Sequence, residues 1–342
     1  MDPQRPRRVI YLIAGTALLA LLACLELITG PVAVTMQELW QVLSGSESAS
    51  DPARAILLES RLPRTLTAIA AGAGLAICGM LMQSLFRNPL AGPSVLGITS
   101  GSSLAVALLV MGQSVLPSFL SASHGAAVVI AGIAGAAGVL VIVLAASNRL
   151  GNTNSLLLFG ILLGHVAGAV ESVLQHRSSA GALRSFITWG MGRFSETNLT
   201  HALILVVMVC VAALVVSRLT NALNIHLLGE TYAQSMGMRI ARFRWIMVAI
   251  TGVVAGMITA WCGPVAFIGL AMPHVARMLL RTSDHRLLLV PLLLTGALAG
   301  VLSDLISRPA EVPLNAITSL LGAPVVILIV FQSGKMRRMH HG

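Results

Sequence analysis

Residues 88–148, NPLAGPSVLGITSGSSLAVALLVMGQSVLPSFLSASHGAAVVIAGIAGAAGVLVIVLAASN, contain no Asp, Glu, Lys or Arg. A helix that crosses a bilayer needs about 20 apolar residues, so this stretch can supply two spans and the connection between them. Residues 245–276 and 287–303 also lack all four residue types. Of the 342 residues, 56% are hydrophobic and 10% are charged, which excludes a soluble globular fold. The sequence therefore predicts an all-α integral membrane protein.

Gaps between charges, together with turn-forming residues, predict about ten membrane-spanning helices in a single domain, residues 1–342. Arg5, Arg7 and Arg8 precede the first apolar segment and place the N-terminus in the cytoplasm. An even number of spans then places the C-terminus on the same side. The predicted spans are Val9–Leu25, Thr65–Phe86, Ser94–Met111, Ala126–Ala146, Ser155–Leu174, Ala202–Ser217, Ile246–Cys262, Ala266–Leu280, Leu287–Ile306 and Leu314–Phe331.

The net charge of +10 is explained by orientation in the membrane, because basic residues are retained on cytoplasmic loops. No basic stripe is interleaved with aromatic residues, which make up only 4% of the chain, so a nucleic-acid partner is not expected. Of the 22 Lys and Arg residues, about two thirds lie in predicted cytoplasmic segments. The predicted outside arginines are Arg54, Arg61, Arg64, Arg177, Arg184, Arg193 and Arg308.

The sequence lacks the motifs of several kinds of catalytic and binding site. The only lysine, Lys335, is followed by Met336, so the chain has no nucleotide-binding P-loop. The four cysteines form no Cys-x-x-Cys pair, so the sequence does not support a disulfide or a metal site at these residues. A His-Glu-x-x-His motif is also absent. We expect no catalytic residue, metal ligand or bound cofactor on this chain.

Small residues at helical spacing predict close packing between spans. Gly160, Gly164 and Gly168 form a repeated Gly-x-x-x-Gly, which lets helix backbones approach closely in lipid. Glu171 lies on the same helical face as this seam. Because an ionisable group at that depth faces protein or water, Glu171, Gly164 and Gly168 are candidates for lining a translocation pathway.

Three blocks of sequence carry a specific resemblance. They are similar, in order and spacing, to the permease subunits of iron-siderophore, heme and vitamin B12 ABC importers, the FecCD/BtuC family. One difference is Asn315, which stands where the family usually has Gly; since Asn tolerates left-handed backbone, we expect the local turn to be kept. The blocks are Arg61-Leu62-Pro63-Arg64 continuing to Arg87-Asn88-Pro89-Leu90-Ala91-Gly92-Pro93; Leu227-Leu228-Gly229-Glu230 with Ala233 and Met236-Gly237; and Gly263 to Leu270 continuing through Pro273-His274, Asp284-His285-Arg286, Glu311 and Pro324.

The resemblance implies the fold of a type II ABC importer permease, working as a dimer in the bacterial inner membrane. The implied function is import of an iron chelate, a ferric siderophore or heme, with vitamin B12 as the alternative substrate. It implies that the chain is not an enzyme, because ATP and Mg²⁺ are bound by the ATPase. The implied partners are a second copy of the chain, two ABC ATPase subunits, a soluble or lipid-anchored binding protein, and membrane lipid.

The resemblance also assigns roles to two groups of residues. The segment 218–244 is implied to be a cytoplasmic coupling loop whose two short helices dock on the ATPase, with Leu228, Gly229, Glu230, Ala233 and Gly237 at the contact. Arg61, Arg64 and Arg308 are implied to grip carboxylates of the binding protein, a task suited to the guanidinium group.

An ion-coupled secondary transporter is a remote alternative, in which Glu171 and His165 would relay protons. Such a protein is expected to contain internal repeats, and none is evident in this sequence.

Overall fold

The chain folds into a bundle of helices in the computed structural model, which describes residues 5–32, 34–45, 51–112, 124–150, 152–310 and 312–339. Glu311, part of the third family block, lies outside the described residues. The helices are α1 (Arg5–Ile28), α2 (Met36–Leu43), α3 (Asp51–Ala55), α4 (Leu62–Leu85), α5 (Ile98–Met111), α6 (His124–Arg149), α7 (Thr153–Arg177), α8 (Ala180–Gly190), α9 (Leu199–Leu227), α10 (Glu230–Ser235), α11 (Ile240–Cys262), α12 (Ile268–Leu280), α13 (His285–Ala310) and α14 (Leu314–Met339).

Ten of these helices correspond to the ten predicted spans. Seven are long and apolar enough to cross a membrane, and three shorter apolar helices, α5, α12 and the first part of α14, complete the set. A π-helical turn, 56–61, joins α3 to α4. The predicted all-α membrane fold is confirmed.

The helix α4 forms the centre of the bundle. In its candidate span 89% of the residues are buried, against 17% in the spans of α6 and α7, whose apolar side chains face outward. The helices α9, α11, α12 and α13 pack around α4. Such outward apolar faces suit lipid or another helix surface.

Glycines allow α4 to approach its neighbours at backbone distance. A Cβ atom at Gly72 would overlap the backbone of Gly296, and one at Gly79 would overlap the backbone of Gly269. The first pair joins α4 to α13 and the second joins it to α12. Small residues therefore set the spacing at the core, as the sequence predicts for helices in lipid.

Two predicted boundaries are wrong. The third span does not begin at Ser94, because residues 93–96 form a separate 3-10 turn. Gly97 then takes a left-handed conformation, φ 73°, before α5 begins. Nor is 218–244 a loop, since α9 continues through Arg218 to Leu227. A charged residue marks where a helix leaves the apolar layer, and the hydrogen-bonded helix continues beyond it.

The helices define two ends of the bundle. At the α10 end, α4, α6 and α9 finish while α7, α11 and α13 begin. At the opposite end, which we name the Arg61 end, α1 finishes and α4 begins.

Candidate functional site

A short helix between two glycines stands out at the α10 end. Gly229 has φ 120° and Gly237 has φ 83°, conformations that residues with a Cβ rarely adopt. Between them α10 runs from Glu230 to Ser235. The two glycines therefore separate α10 from α9 and from α11.

The two faces of this connection differ sharply in exposure. Ala233 is fully buried, whereas Leu228, Tyr232 and Met236 are 66%, 49% and 60% exposed. Exposed large apolar side chains next to a charged surface are typical of a contact site for another protein.

Polar contacts fasten α10 to the spanning helices. The Thr153 hydroxyl at the start of α7 donates to the Glu230 carboxylate. A guanidinium nitrogen of Arg244, on α11, lies 4.0 Å from the same carboxylate. Arg244 also donates to the carbonyl oxygen of Leu150, 3.0 Å away, and it is buried. Movement of α10 would therefore act on both α7 and α11.

An open groove of about 950 Å³ lies beside α10. Its walls are the end of α4 with Arg87, the start of α7 at 152–154, and the stretch 228–232 with Ser235. Arg87 is exposed and has φ 47°. The groove is wide enough to receive a protein segment and presents a positive charge to it.

The residues assigned to the coupling contact lie together on this one connection. Leu228, Gly229, Glu230 and Ala233 flank the groove or support it, and Gly237 ends α10. The expectation of two short helices in 218–244 is wrong for the described residues: α10 is separate, but 218–227 belongs to α9 and 240–244 belongs to α11.

The opposite end holds a cluster of arginines and acids. The Arg61 guanidinium donates to the carbonyl oxygens of Leu27 and Ile28, each 2.7 Å away, and to that of Val32. Arg61 is 4% exposed. It therefore clamps the end of α1 and the chain that follows.

Arg64 and Arg308 converge on one carboxylate. Arg64 makes a bidentate pair with Asp304, at 2.6 and 2.9 Å, and Arg308 lies 3.3 Å from the same group. Arg308 also contacts the fully buried Glu26 at 3.4 Å. These contacts join α1, α4 and α13.

The three arginines assigned to docking are thus brought together, but their guanidinium groups bind within the chain. The side chain of Arg64 is 20% exposed and that of Arg308 is 12% exposed, whereas Arg61 is enclosed. Docking at this end stays a prediction, and Arg64 is the most accessible member.

The residues assigned to a pathway lie on α7 against α5. Gly164 faces Ser100, whose hydroxyl oxygen would lie 3.3 Å from an added Cβ, and Ser103 lies close to the partly buried Glu171 carboxyl. Gly168 faces open space in the described part of the chain. A pathway role for these residues stays a prediction.

Asn315 has a role that the sequence argument did not foresee. It lies in the first turn of α14 rather than in a left-handed turn, so that expectation is wrong. Its amide donates to the carbonyl oxygen of Gly190, at 3.0 Å, and accepts from the backbone N–H of Ala266, at 3.0 Å. The side chain thus fastens the end of α8 to the residues before α12.

Known proteins are similar to this chain over almost its whole length. A model of the FecCD transport family matches residues 18–332. Vitamin B12 import system permease proteins BtuC of Salmonella schwarzengrund and Salmonella typhi are 33% identical over 337 residues, which cover 97% of this chain and 98% of each relative.

Solved structures agree with this match. A metal-chelate type ABC transporter in an inward-facing conformation has a TM-score of 0.79 and 29% identity, covering 95% of this chain and 99% of that one. PsaBC from Streptococcus pneumoniae in complex with Fab, 15% identical with a TM-score of 0.53 over 85% of this chain and 94% of that one, shares the fold. The chain belongs to the FecCD transport family and is a multi-pass membrane permease of an ABC importer.

Proposed function

We propose that the chain moves a metal chelate inward across the bacterial inner membrane, driven by ATP that a partner ATPase hydrolyses. The observation that carries this proposal is α10, a short helix with exposed apolar side chains that is fastened to α7 and α11. Closing two ATPase subunits around ATP must move spanning helices as rigid bodies. A compact helix held by Glu230 suits that task better than a flexible loop.

The ATPase is proposed to contact the surface formed by Leu228, Tyr232, Met236 and the groove beside α10. Apolar side chains supply contact area, and the exposed Arg87 offers a charge for a partner carboxylate. The α10 end is then cytoplasmic, in agreement with the excess of arginine there, and both termini lie on that side.

The Arg61 end is proposed to face the binding protein that delivers the substrate. Arg64 is the cluster member with most exposure, so a partner carboxylate would compete with Asp304 for its guanidinium group. A second copy of the chain is proposed to complete the translocation path, and lipid to cover the remaining outward apolar faces.

An iron chelate, a ferric siderophore or heme, is the proposed substrate, which the resemblance of the sequence blocks supports. Vitamin B12 is the second candidate, because relatives 33% identical over 97% of this chain are vitamin B12 import permeases. A neighbour of TM-score 0.79 described as a metal-chelate type transporter is compatible with either.

Uptake into proteoliposomes tests the proposal. The chain is reconstituted with its ATPase and binding protein, and ferrichrome, heme and cyanocobalamin are offered separately with ATP on the ATPase side. We expect ATP-dependent accumulation of one iron chelate, well above a control with a non-hydrolysable ATP analogue. Accumulation of cyanocobalamin alone would move the substrate to the second candidate, and accumulation of none of the three would contradict the proposed function.

A further inference from the structure

A buried polar chain joins three spanning helices at the α10 end. His285, the first residue of α13, is 1% exposed. Its Nε2 lies 2.8 Å from the Ser84 hydroxyl oxygen on α4, and its Nδ1 lies 2.7 Å from the Asn224 side-chain oxygen on α9. One imidazole ring therefore connects α4, α9 and α13.

Asp284 defines the direction of the hydrogen bonds that Asn224 makes. Burial raises the pKa of Asp284. Hydrogen bonds from Asn224 and from the Arg286 N–H, together with the charges of Arg286 and His285, lower it by more, so this pKa lies below its ordinary value. Asp284 is thus an ionised acceptor, and Asn224 Nδ2 donates to it at 2.6 Å. The Asn224 oxygen then accepts both the backbone N–H of His285, at 3.0 Å, and its Nδ1–H.

The remaining bond is also satisfied. The Ser84 hydroxyl lies 2.7 Å from the carbonyl oxygen of Met80 and 2.8 Å from His285 Nε2. If the ring is neutral, Nε2 accepts from the Ser84 hydroxyl; if the ring is protonated, Nε2 donates to that hydroxyl, which then donates to the Met80 carbonyl oxygen. The chain from Asn224 through His285 to Ser84 is therefore complete without solvent.

These hydrogen bonds lie next to α10. Asn224 lies on the last turn of α9, only a few residues before α10. His226, on the same turn, is fully buried, and its Nε2 lies 3.2 Å from the carbonyl oxygen of Leu85 at the end of α4. Hence the end of α9 that leads into α10 holds the ends of α4 and α13 through directed hydrogen bonds.

We propose that the chain Asn224–His285–Ser84 transmits the movement of α10 to the central helix α4 and to α13, and that His285 is a positioning residue for coupling ATP hydrolysis to transport. This inference rests on the proposed function. Helices held only by apolar contacts, such as those between α9 and α4, can slide past one another. A buried hydrogen bond has a defined partner and direction and resists such sliding. Loss of these hydrogen bonds should leave the helices packed but weaken their concerted movement.

The test measures how much substrate is imported for each ATP hydrolysed. Ser84→Ala removes only the hydroxyl that α4 contributes, and Asn224→Ala removes the α9 partner. Ser217→Ala is the matched control, because within the described residues that exposed hydroxyl on α9 bonds only the carbonyl oxygen of Leu214 on its own helix. Each variant is reconstituted with the ATPase and binding protein, with whichever of ferrichrome, heme and cyanocobalamin the wild-type complex imports.

We expect Ser84→Ala and Asn224→Ala to lower the substrate imported per ATP by at least about threefold, with hydrolysis within about twofold of the wild type. Ser217→Ala should leave the ratio unchanged. A ratio unchanged in Ser84→Ala would overturn the inference, whether or not stability falls, because a merely structural role alters yield and not coupling. A wild-type complex that imports none of the probes would instead overturn the proposed function.

Discussion

Charged residues inside this protein act as clamps between distant parts of the chain. Arg61 holds backbone carbonyls at the end of α1 and just after it, Asp304 receives both Arg64 and Arg308, and Glu230 joins α10 to α11. The charge pattern of the sequence locates such residues, because charges are rare in a chain that is 10% charged. Their partners could not be predicted, since Asp304 meets Arg64 from 240 positions away and only the packing of α4 on α13 brings them together.

Loss of the Glu230 carboxylate should loosen α10. In Glu230→Ala the buried Arg244 keeps its bond to Leu150 but loses its acid, and Thr153 loses its acceptor. We expect a fall of about 1–3 kcal/mol in the free energy of unfolding, measured by denaturant titration in detergent. Glu196→Ala is the control: its carboxylate is 58% exposed and pairs only with Arg193 at the surface, so a change within about 0.5 kcal/mol is expected. Equal effects in both variants would argue against a clamp.

Neutralising Asp304 should lower the free energy of unfolding more than the loss of the Glu230 carboxylate does. Asp304→Asn keeps the shape of the side chain but leaves Arg64 and Arg308 without their shared anion in a buried site. We expect a loss of about 3 kcal/mol or more, seen as a lower midpoint in the same titration. Asp51→Asn, at an exposed position, should change stability by less than about 0.5 kcal/mol. Wild-type stability in Asp304→Asn would show that the cluster is open to water.

The sequence predicts a helix well where the length of an apolar segment determines it. It predicts less well where a helix begins or ends through a change in backbone conformation. Gaps between charges locate all ten spanning helices, and Gly229 and Gly237 locate α10. The break at Gly97 was missed, because a left-handed residue inside an apolar run leaves no charge signal. The continuation of α9 past Arg218 was missed because helix hydrogen bonds do not depend on the surrounding lipid.

Backbone contact between α4 and α12 makes Gly79 intolerant of any side chain. In Gly79→Ala the new Cβ would overlap the Gly269 carbonyl, so the two helices must separate. We expect a loss of about 1–3 kcal/mol and a lower yield of monodisperse protein on size-exclusion chromatography. Gly168→Ala, where an added Cβ meets nothing within 4 Å, should be neutral or gain up to about 1 kcal/mol of helix propensity. A tolerated Gly79→Ala would contradict the packing described here.

The exposed face of α10 should decide whether the ATPase binds. Tyr232→Asp and Met236→Asp place charge on an apolar contact surface without disturbing the buried Ala233. We expect affinity for the ATPase to fall at least about tenfold, measured by biolayer interferometry in detergent. Trp40→Asp, also highly exposed at 73% but on α2 at the opposite end, should leave affinity unchanged. Unchanged affinity in both α10 variants would remove this helix from the interface.

The described helices form one packed bundle, and a candidate contact surface lies at each end of it. The central α4 reaches from the arginine cluster, through close contacts with α12 and α13, to the groove beside α10. A change imposed on α10 can therefore reach the opposite end through packed helices. In the proposed function, a partner ATPase supplies the energy for such a change.

The energy source of uptake tests this account most directly. Proteoliposomes containing the chain, its ATPase and its binding protein are supplied with ATP while ionophores collapse every ion gradient. Accumulation of the chelate should continue at the full rate under these conditions, and it should stop when the ATPase is omitted. Accumulation that follows an imposed proton or sodium gradient in vesicles holding the chain without any ATPase would contradict the account.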